Sequence, residues 1–121
     1  MIEFIEYNKC STCKKAKQFL DSNNIKYNDR PIKDKTPTKK ELSNWIKKYN
    51  VNINKLFNTS GLVYKSLNLK DKIQTLSNSE KINLLSNNGM LLKRPLLITD
   101  EKLLIGFKEE EWNKIKNDIK N

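Results

Sequence analysis

The chain of 121 residues carries two cysteines, and they stand two residues apart in Cys10-Ser11-Thr12-Cys13. A thiol attacks as its thiolate, and the amide groups at the start of a helix stabilise that anion. A hydrophobic strand pattern runs up to Cys10 and a helical pattern leaves from Cys13, so the pair reads as a redox motif. Zinc sites use the same spacing, but a structural site takes four Cys or His ligands. With no histidine and no third cysteine, a zinc site requires ligands from a second chain. The missing histidine also excludes a Cys-His catalytic pair. A structural disulfide across two residues closes too small a loop to constrain the unfolded chain. Two buried, inert thiols remain the bland alternative, since cysteine is among the most buried residue types.

The elements that must hold this pair follow from periodicity. Ile2 to Tyr7 sets Ile2 and Phe4 against Glu3 and Glu6 and reads as a strand. From Cys13, apolar residues at Ala16, Phe19 and Leu20 have helical spacing, and Asp21-Ser22-Asn23-Asn24 ends that helix. Ile25 to Ile32 reads as a second strand, which makes a βαβ unit with a right-handed crossover. A second helix starts either with Pro37 in its first position or from the capping box Thr38-Lys39-Lys40-Glu41. Leu42, Trp45, Ile46 and Tyr49 then follow at helical spacing. Residues 50–88 have little strand character and read as a helical insertion. Within it, Ser77-Asn78-Ser79-Glu80 opens a helix and Asn87-Asn88-Gly89 stops it. Leu96 to Thr99 and Leu103 to Phe107 read as a β-hairpin. Trp112, Ile115 and Ile119 mark a closing amphipathic helix. No repeat or linker divides the chain, so residues 1–121 are expected to form one domain with the insertion at about 50–88.

Composition narrows the function. The net charge is +10, but 22 of the basic residues are lysines scattered through every segment, with Arg30 and Arg94 the two arginines. Specific nucleic-acid recognition favours arginine forks and aromatic stacking, so direct nucleic-acid binding is not expected. No apolar run reaches membrane-spanning length and the first residues lack a secretory signal, so a cytoplasmic protein without membrane attachment is expected. In that reducing compartment a cysteine pair is expected to be catalytic or sensing rather than structural.

Four stretches together resemble the arsenate reductase-like (ArsC/Spx) family: Tyr7-Asn8-Lys9-Cys10-Ser11-Thr12-Cys13-Lys14-Lys15-Ala16, Asn58-Thr59-Ser60-Gly61, Gly89 to Leu97 with Arg94-Pro95, and Gly106-Phe107. The resemblance implies an α/β, thioredoxin-like fold, with a four-stranded mixed sheet flanked by helices. It implies Cys10 as nucleophile, Cys13 as resolving thiol, Arg94 as the arginine facing the oxyanion or thiolate, and Pro95 as a cis-proline facing the redox site. Lys9, Ser11, Thr12, Asn58 and Thr59 fall on the substrate side of the same pattern. Physically, amides of Ser11, Thr12 and Cys13 directed at the Cys10 sulfur, with charge from Lys9 and Arg94, stabilise a thiolate. A cis-proline denies a competing N–H and leaves a carbonyl free for a peptide-like substrate.

The resemblance admits three functions. The first is a thiol-disulfide oxidoreductase acting on a thiol or disulfide substrate, a protein among them. It would be monomeric, hold no bound cofactor or metal, and be reset by glutathione or a thioredoxin or glutaredoxin system. The second is an Spx-like regulator that binds the RNA polymerase α subunit and uses the cysteines as a switch. Against it, the regulator carries a glycine after its second helix, where this chain reads Tyr49-Asn50-Val51-Asn52. The third is arsenate reduction, for which the family uses three arginines. Only Arg94 matches, the other two positions falling near Asn58 and Gly106, and lysine lacks the bidentate fork.

Overall fold

The structure is a computed structural model that describes residues 2–120. They form two compact units, one built from both ends of the chain, up to Pro31 and from Arg94 onward, the other from Ile32–Lys93.

The first unit holds a four-stranded mixed sheet in the order β2-β1-β3-β4. Strand β1 is Glu3–Glu6, helix α1 is Ser11–Ser22 and β2 is Asn28–Pro31. β1 and β2 are parallel, with Phe4 opposite Asp29, which makes the βαβ unit expected from the alternation. β2 begins later than Ile25, because the Ile25 amide donates back to the Leu20 carbonyl at 3.0 Å and belongs to the end of α1. Asn24 sits there with φ 56°, the left-handed conformation that asparagine tolerates after a helix. The hairpin is β3, Leu96–Ile98, and β4, Leu103–Ile105, antiparallel with Leu97 opposite Leu104. β3 also runs antiparallel to β1. Thr99 closes the turn, its amide donating to the Lys102 carbonyl and its hydroxyl accepting the Lys102 amide.

One face of this sheet is covered by the core. Phe4, Leu97 and Leu104 pack with Ala16 and Leu20 of α1 and with Trp112 and Ile115 of the last helix, Glu109–Lys120. Glu109, Glu110 and Glu111 occupy that helix's first turn, where its dipole favours negative charge.

The second unit is helical: α2 (Lys39–Lys48), α3 (Leu62–Ser66), α4 (Leu69–Lys72) and α5 (Asn78–Asn87), with 3₁₀ turns at Ile53–Leu56, Ile73–Thr75 and Gly89–Leu91. The last helix is therefore α6. Thr38 rather than Pro37 starts α2, because the capping box satisfies two backbone amides at once. Thr38 Oγ1 accepts from Glu41 N–H at 3.1 Å, and Glu41 Oε1 accepts from Thr38 N–H at 3.0 Å. Ser77 and Glu80 repeat the device at α5, which packs on α2. No strand forms between residues 50 and 88; one isolated bridge joins Phe57 to Leu92. α5 ends at Asn87, as expected of Asn87-Asn88-Gly89, and Gly89 also permits a close approach. A Cβ there would lie 2.5 Å from the Ile32 carbonyl oxygen and 2.9 Å from Thr36 Oγ1.

Candidate active site

Cys10 is the N-cap of α1, so the helix begins before Cys13, at Ser11. A tight turn puts it there: its amide donates to the Tyr7 carbonyl at 3.0 Å, which carries the chain from β1 directly into α1. Cys10 has extended backbone angles (φ −95°, ψ 119°), and its Sγ accepts the Cys13 amide at 3.4 Å. A sulfur thus fills the position that a serine or aspartate oxygen usually takes. Among the described residues the Cys13 amide is the one of the three anticipated donors that bonds the sulfur. Ser11, Thr12 and Lys9 are exposed around it.

Both thiols are free. Cys10 is half-buried, whereas Cys13 is 2% exposed. Burial pushes the Cys13 thiol up to about 12, and the hydrogen bond and charge of the Cys10 sulfur add to the rise. The Tyr7 backbone and the Arg94 charge act against it. The two sulfurs are therefore unequal: one at a helix start within reach of solvent, one beneath it held as the neutral thiol.

Arg94 is half-buried, its guanidinium lying 5.3 Å from the centre of the Tyr7 ring. The Arg94–Pro95 peptide bond is cis and Pro95 is buried. The Pro95 carbonyl accepts the Gly106 amide at 2.8 Å. Cys10, Cys13, Arg94 and Pro95 all belong to the first unit.

Asn58 and Thr59 belong to the second unit. Asn58 donates its amide to the Leu91 carbonyl at 2.8 Å and accepts the Gly61 amide at 3.1 Å. Its side-chain oxygen accepts from the Ser60 hydroxyl at 3.3 Å, while Thr59 is exposed. A Cβ at Gly61 would fall 2.7 Å from Asn58 Nδ2, the movable end of that side chain.

Sequence reasoning missed a carboxyl pair beside the strand end. Glu6, four residues before Cys10, hydrogen-bonds Asp29, and Asp29 also pairs with Lys17 at 2.9 Å. Burial raises the Glu6 carboxyl to about 7, helped by the hydrogen bond and charge of Asp29 and opposed by Lys17. In the sequence Glu6 stands only as one of the charged residues of the first strand. The available signal was the second acid, Asp29, inside the parallel partner strand. A carboxyl with a raised folded value is protonated in the fold and ionised in the unfolded chain between its ordinary value and about 7. Stability then falls as pH rises through that window. Glu6→Gln, which keeps a donor toward Asp29, is expected to flatten this dependence, with a difference of about 1 kcal/mol given the partial solvent screening. Urea midpoints at pH 5 and pH 8 for both proteins measure it, and an equal pH slope in the two would remove the shared-proton assignment.

No helix among the described residues is long and apolar enough to cross a membrane. The chain is 41% identical over 111 residues to the uncharacterised protein YusI of Bacillus subtilis, covering 92% of this chain and 94% of that protein. It is 30% identical over 105 residues to the global transcriptional regulator Spx 2 of Bacillus anthracis, covering 87% and 79%. The crystal structure of a possible arsenate reductase from Streptococcus mutans superposes with a TM-score of 0.85 at 42% identity, covering 93% of this chain and 98% of that one. That likeness bears out the thioredoxin-like α/β fold with its mixed sheet. The model of the ArsC family matches residues 6–115, and with these relatives it shows that the chain belongs to the ArsC family in its arsenate reductase-like and Spx-like breadth.

Proposed function

We propose that the protein is a thiol-disulfide oxidoreductase in which Cys10 attacks and Cys13 resolves. The observation that carries this reading is the inequality of the two thiols at one helix start: Cys10 half-buried with its sulfur on the Cys13 amide, Cys13 buried and neutral. The Cys10 thiolate attacks one sulfur of a substrate disulfide, forms a mixed disulfide and expels the other sulfur as a thiolate. Cys13 then gives up its proton to solvent and attacks the Cys10 sulfur. The substrate leaves as its second thiolate, and the protein is left with a Cys10–Cys13 disulfide, oxidised by two electrons. Two equivalents of glutathione, or a dithiol of the thioredoxin or glutaredoxin class, return both thiols. A cytoplasmic site of action provides such donors.

In this reading Arg94 favours the Cys13 thiolate, and Lys9, Ser11 and Thr12 form the exposed rim that a substrate meets. Asn58 and Thr59 are assigned to substrate contact on the motif alone. Arsenate is a poor substrate, because its oxyanion needs several bidentate donors and Arg94 is the lone arginine at a matching position. The other arginine, Arg30, sits 3.6 Å from Glu3 in a strand-to-strand ion pair.

A coupled assay with glutathione, glutaredoxin and a reductase tests both halves. Reduction of a glutathionylated peptide is expected at rates of an ordinary enzyme, about 1 s⁻¹ or more. Turnover of arsenate is expected to be lower by about a hundredfold or more. Comparable rates on the two substrates would overturn the arginine argument, and no turnover of the peptide would overturn the enzyme reading.

The kinship to Spx 2, a global transcriptional regulator, favours a second reading: a redox-sensing regulator whose partner is the RNA polymerase α subunit. The residue after α2 that takes the left-handed conformation is Asn50, with φ 53°, where the regulator pattern has a glycine nearby. Binding of the purified α subunit, altered by oxidation of the cysteine pair and accompanied by no peptide turnover, would favour the regulator.

A further inference from the structure

We propose that Tyr7 is a positioning residue for the resolving step, its ring seating the Arg94 guanidinium where that charge acts on Cys13. The inference rests on the reading of Cys10 as the attacking and Cys13 as the resolving thiol.

Strand register brings the two residues together. β1 and β3 are antiparallel, with Glu3 opposite Ile98 and Ile5 opposite Leu96. Two further steps along the same register set Tyr7 opposite Arg94, both within the first unit. Opposed residues on antiparallel strands meet when their side chains are long or aromatic. Here they do: the guanidinium carbon lies 5.3 Å from the centre of the Tyr7 ring. Both residues are half-buried, so the attraction between cation and ring face is less screened than at an open surface. A guanidinium is planar and weakly hydrated, which suits it to lie on a ring where an ammonium would keep its water.

The same residue reaches both thiols. Its carbonyl accepts the Cys10 amide at 3.0 Å and so fixes the N-cap of α1. Its backbone acts on the Cys13 sulfur in favour of the thiolate, as the Arg94 charge does. Burial and the Cys10 sulfur act the other way, and Arg94 is the cation set against them. An arginine side chain has many rotamers, and the effect of its charge fades with distance. The Tyr7 ring gives it a flat seat beside the thiols and selects among those rotamers. One residue thus ties the first thiol, the second thiol and the cation together, two through its backbone and one through its ring.

Dithiodipyridine, a neutral aromatic disulfide, is the probe, added in equal amount to the reduced protein. The Cys10 thiolate attacks one of its sulfurs and releases a first pyridinethione. Cys13 then gives its proton to solvent, attacks the Cys10 sulfur and releases the second, leaving a Cys10–Cys13 disulfide and a probe reduced by two electrons. Absorbance times the two releases separately. Tyr7→Leu keeps the backbone contacts and loses the ring. Its second release is expected to be slower by about threefold to tenfold at neutral pH, with the pH profile displaced to the alkaline side. Tyr7→Phe keeps the ring and is expected to stay within about twofold of the parent. Arg94→Met is expected to slow the second release at least as much as Tyr7→Leu. Adding Tyr7→Leu to it is expected to slow it no further, because the ring then has no cation to place. Proton NMR reads the placement without any turnover. The ring current is expected to shift the Arg94 δ-protons upfield in the parent and in Tyr7→Phe but not in Tyr7→Leu, and the amide spectra show that each variant is folded. Release of a single pyridinethione by the parent would overturn the resolving role of Cys13. With both released, unshifted Arg94 protons in the parent, Tyr7→Phe as slow as Tyr7→Leu, or equal slowing by Tyr7→Leu with and without Arg94 would each overturn the role of Tyr7 and leave the thiol roles standing.

Discussion

Cys13→Ser is expected to convert the protein into a trap. Exposed to a glutathionylated peptide or a cell extract, it accumulates a mixed disulfide on Cys10, visible as a mass increase that dithiothreitol removes. Cys10→Ser forms none, and its turnover falls by at least about a thousandfold, the scale for loss of a nucleophile. The asymmetry follows from the two environments. Cys10 is reached from solvent and sits on an amide of the α1 start. Cys13 is buried, and in the reduced protein burial and the adjacent Cys10 sulfur both oppose its ionisation. Once Cys10 is held in a mixed disulfide its charge is gone, while the Tyr7 backbone and Arg94 still favour the Cys13 thiolate. Resolution is therefore switched on by the first step, and its rate is expected to rise with pH through the alkaline range. Equal trapping by both serine variants, or mixed disulfides on Cys13 in the parent, would exchange or abolish the assigned roles.

What was legible in the sequence had a local cause. The capping boxes at Thr38 and Ser77 are contained within four residues, so their hydrogen bonds were readable before any fold was known. The order of strands and helices was readable because apolar spacing is also local. The ends of elements were less so. Ile25 has the side chain of a strand residue, yet its amide closes α1, because the left-handed turn at Asn24 redirects the chain. Gly89 looked like a helix stop by the company of Asn87 and Asn88. The helix does stop there, but the smallness of Gly89 also answers the carbonyl of Ile32, an approach across 57 positions that no local pattern encodes.

The site divides in the same way. The cysteine pair and its helix start were visible because spacing and capping are local. The Glu6–Asp29 carboxyl pair was not, since it depends on the parallel register of β1 with β2. Arg94 and Pro95 were assigned by resemblance. What the fold adds is their surroundings: a guanidinium on the Tyr7 ring, and a proline carbonyl already bonded to Gly106.

That last bond belongs to a chain of contacts that ends in the core, and the core end has the largest stability effect. Trp112 of α6 is 1% exposed and meets three aromatic rings nearly edge to face. Phe107 lies at 4.9 Å between centroids, Phe19 at 6.0 Å and Phe4 at 6.3 Å. Its indole N–H donates to the Gly106 carbonyl at 3.2 Å, and the Gly106 amide in turn donates to the Pro95 carbonyl. Gly106 has φ 76°, a conformation that residues with a Cβ rarely adopt. Trp112→Ala removes the rings' common partner and leaves a cavity under the sheet, with an expected loss of about 3–5 kcal/mol and a melting temperature lower by about 10–20 °C. Trp112→Phe keeps an aromatic ring and loses the indole donor, which leaves the buried Gly106 carbonyl unsatisfied at a cost of about 1–3 kcal/mol. Chemical denaturation of the three proteins orders them parent, Phe, Ala. A Trp112→Phe variant as unstable as Trp112→Ala would place the stabilisation in the hydrogen bond to Gly106. An Ala variant within about 1 kcal/mol of the parent would show that α6 is not the lid of this core.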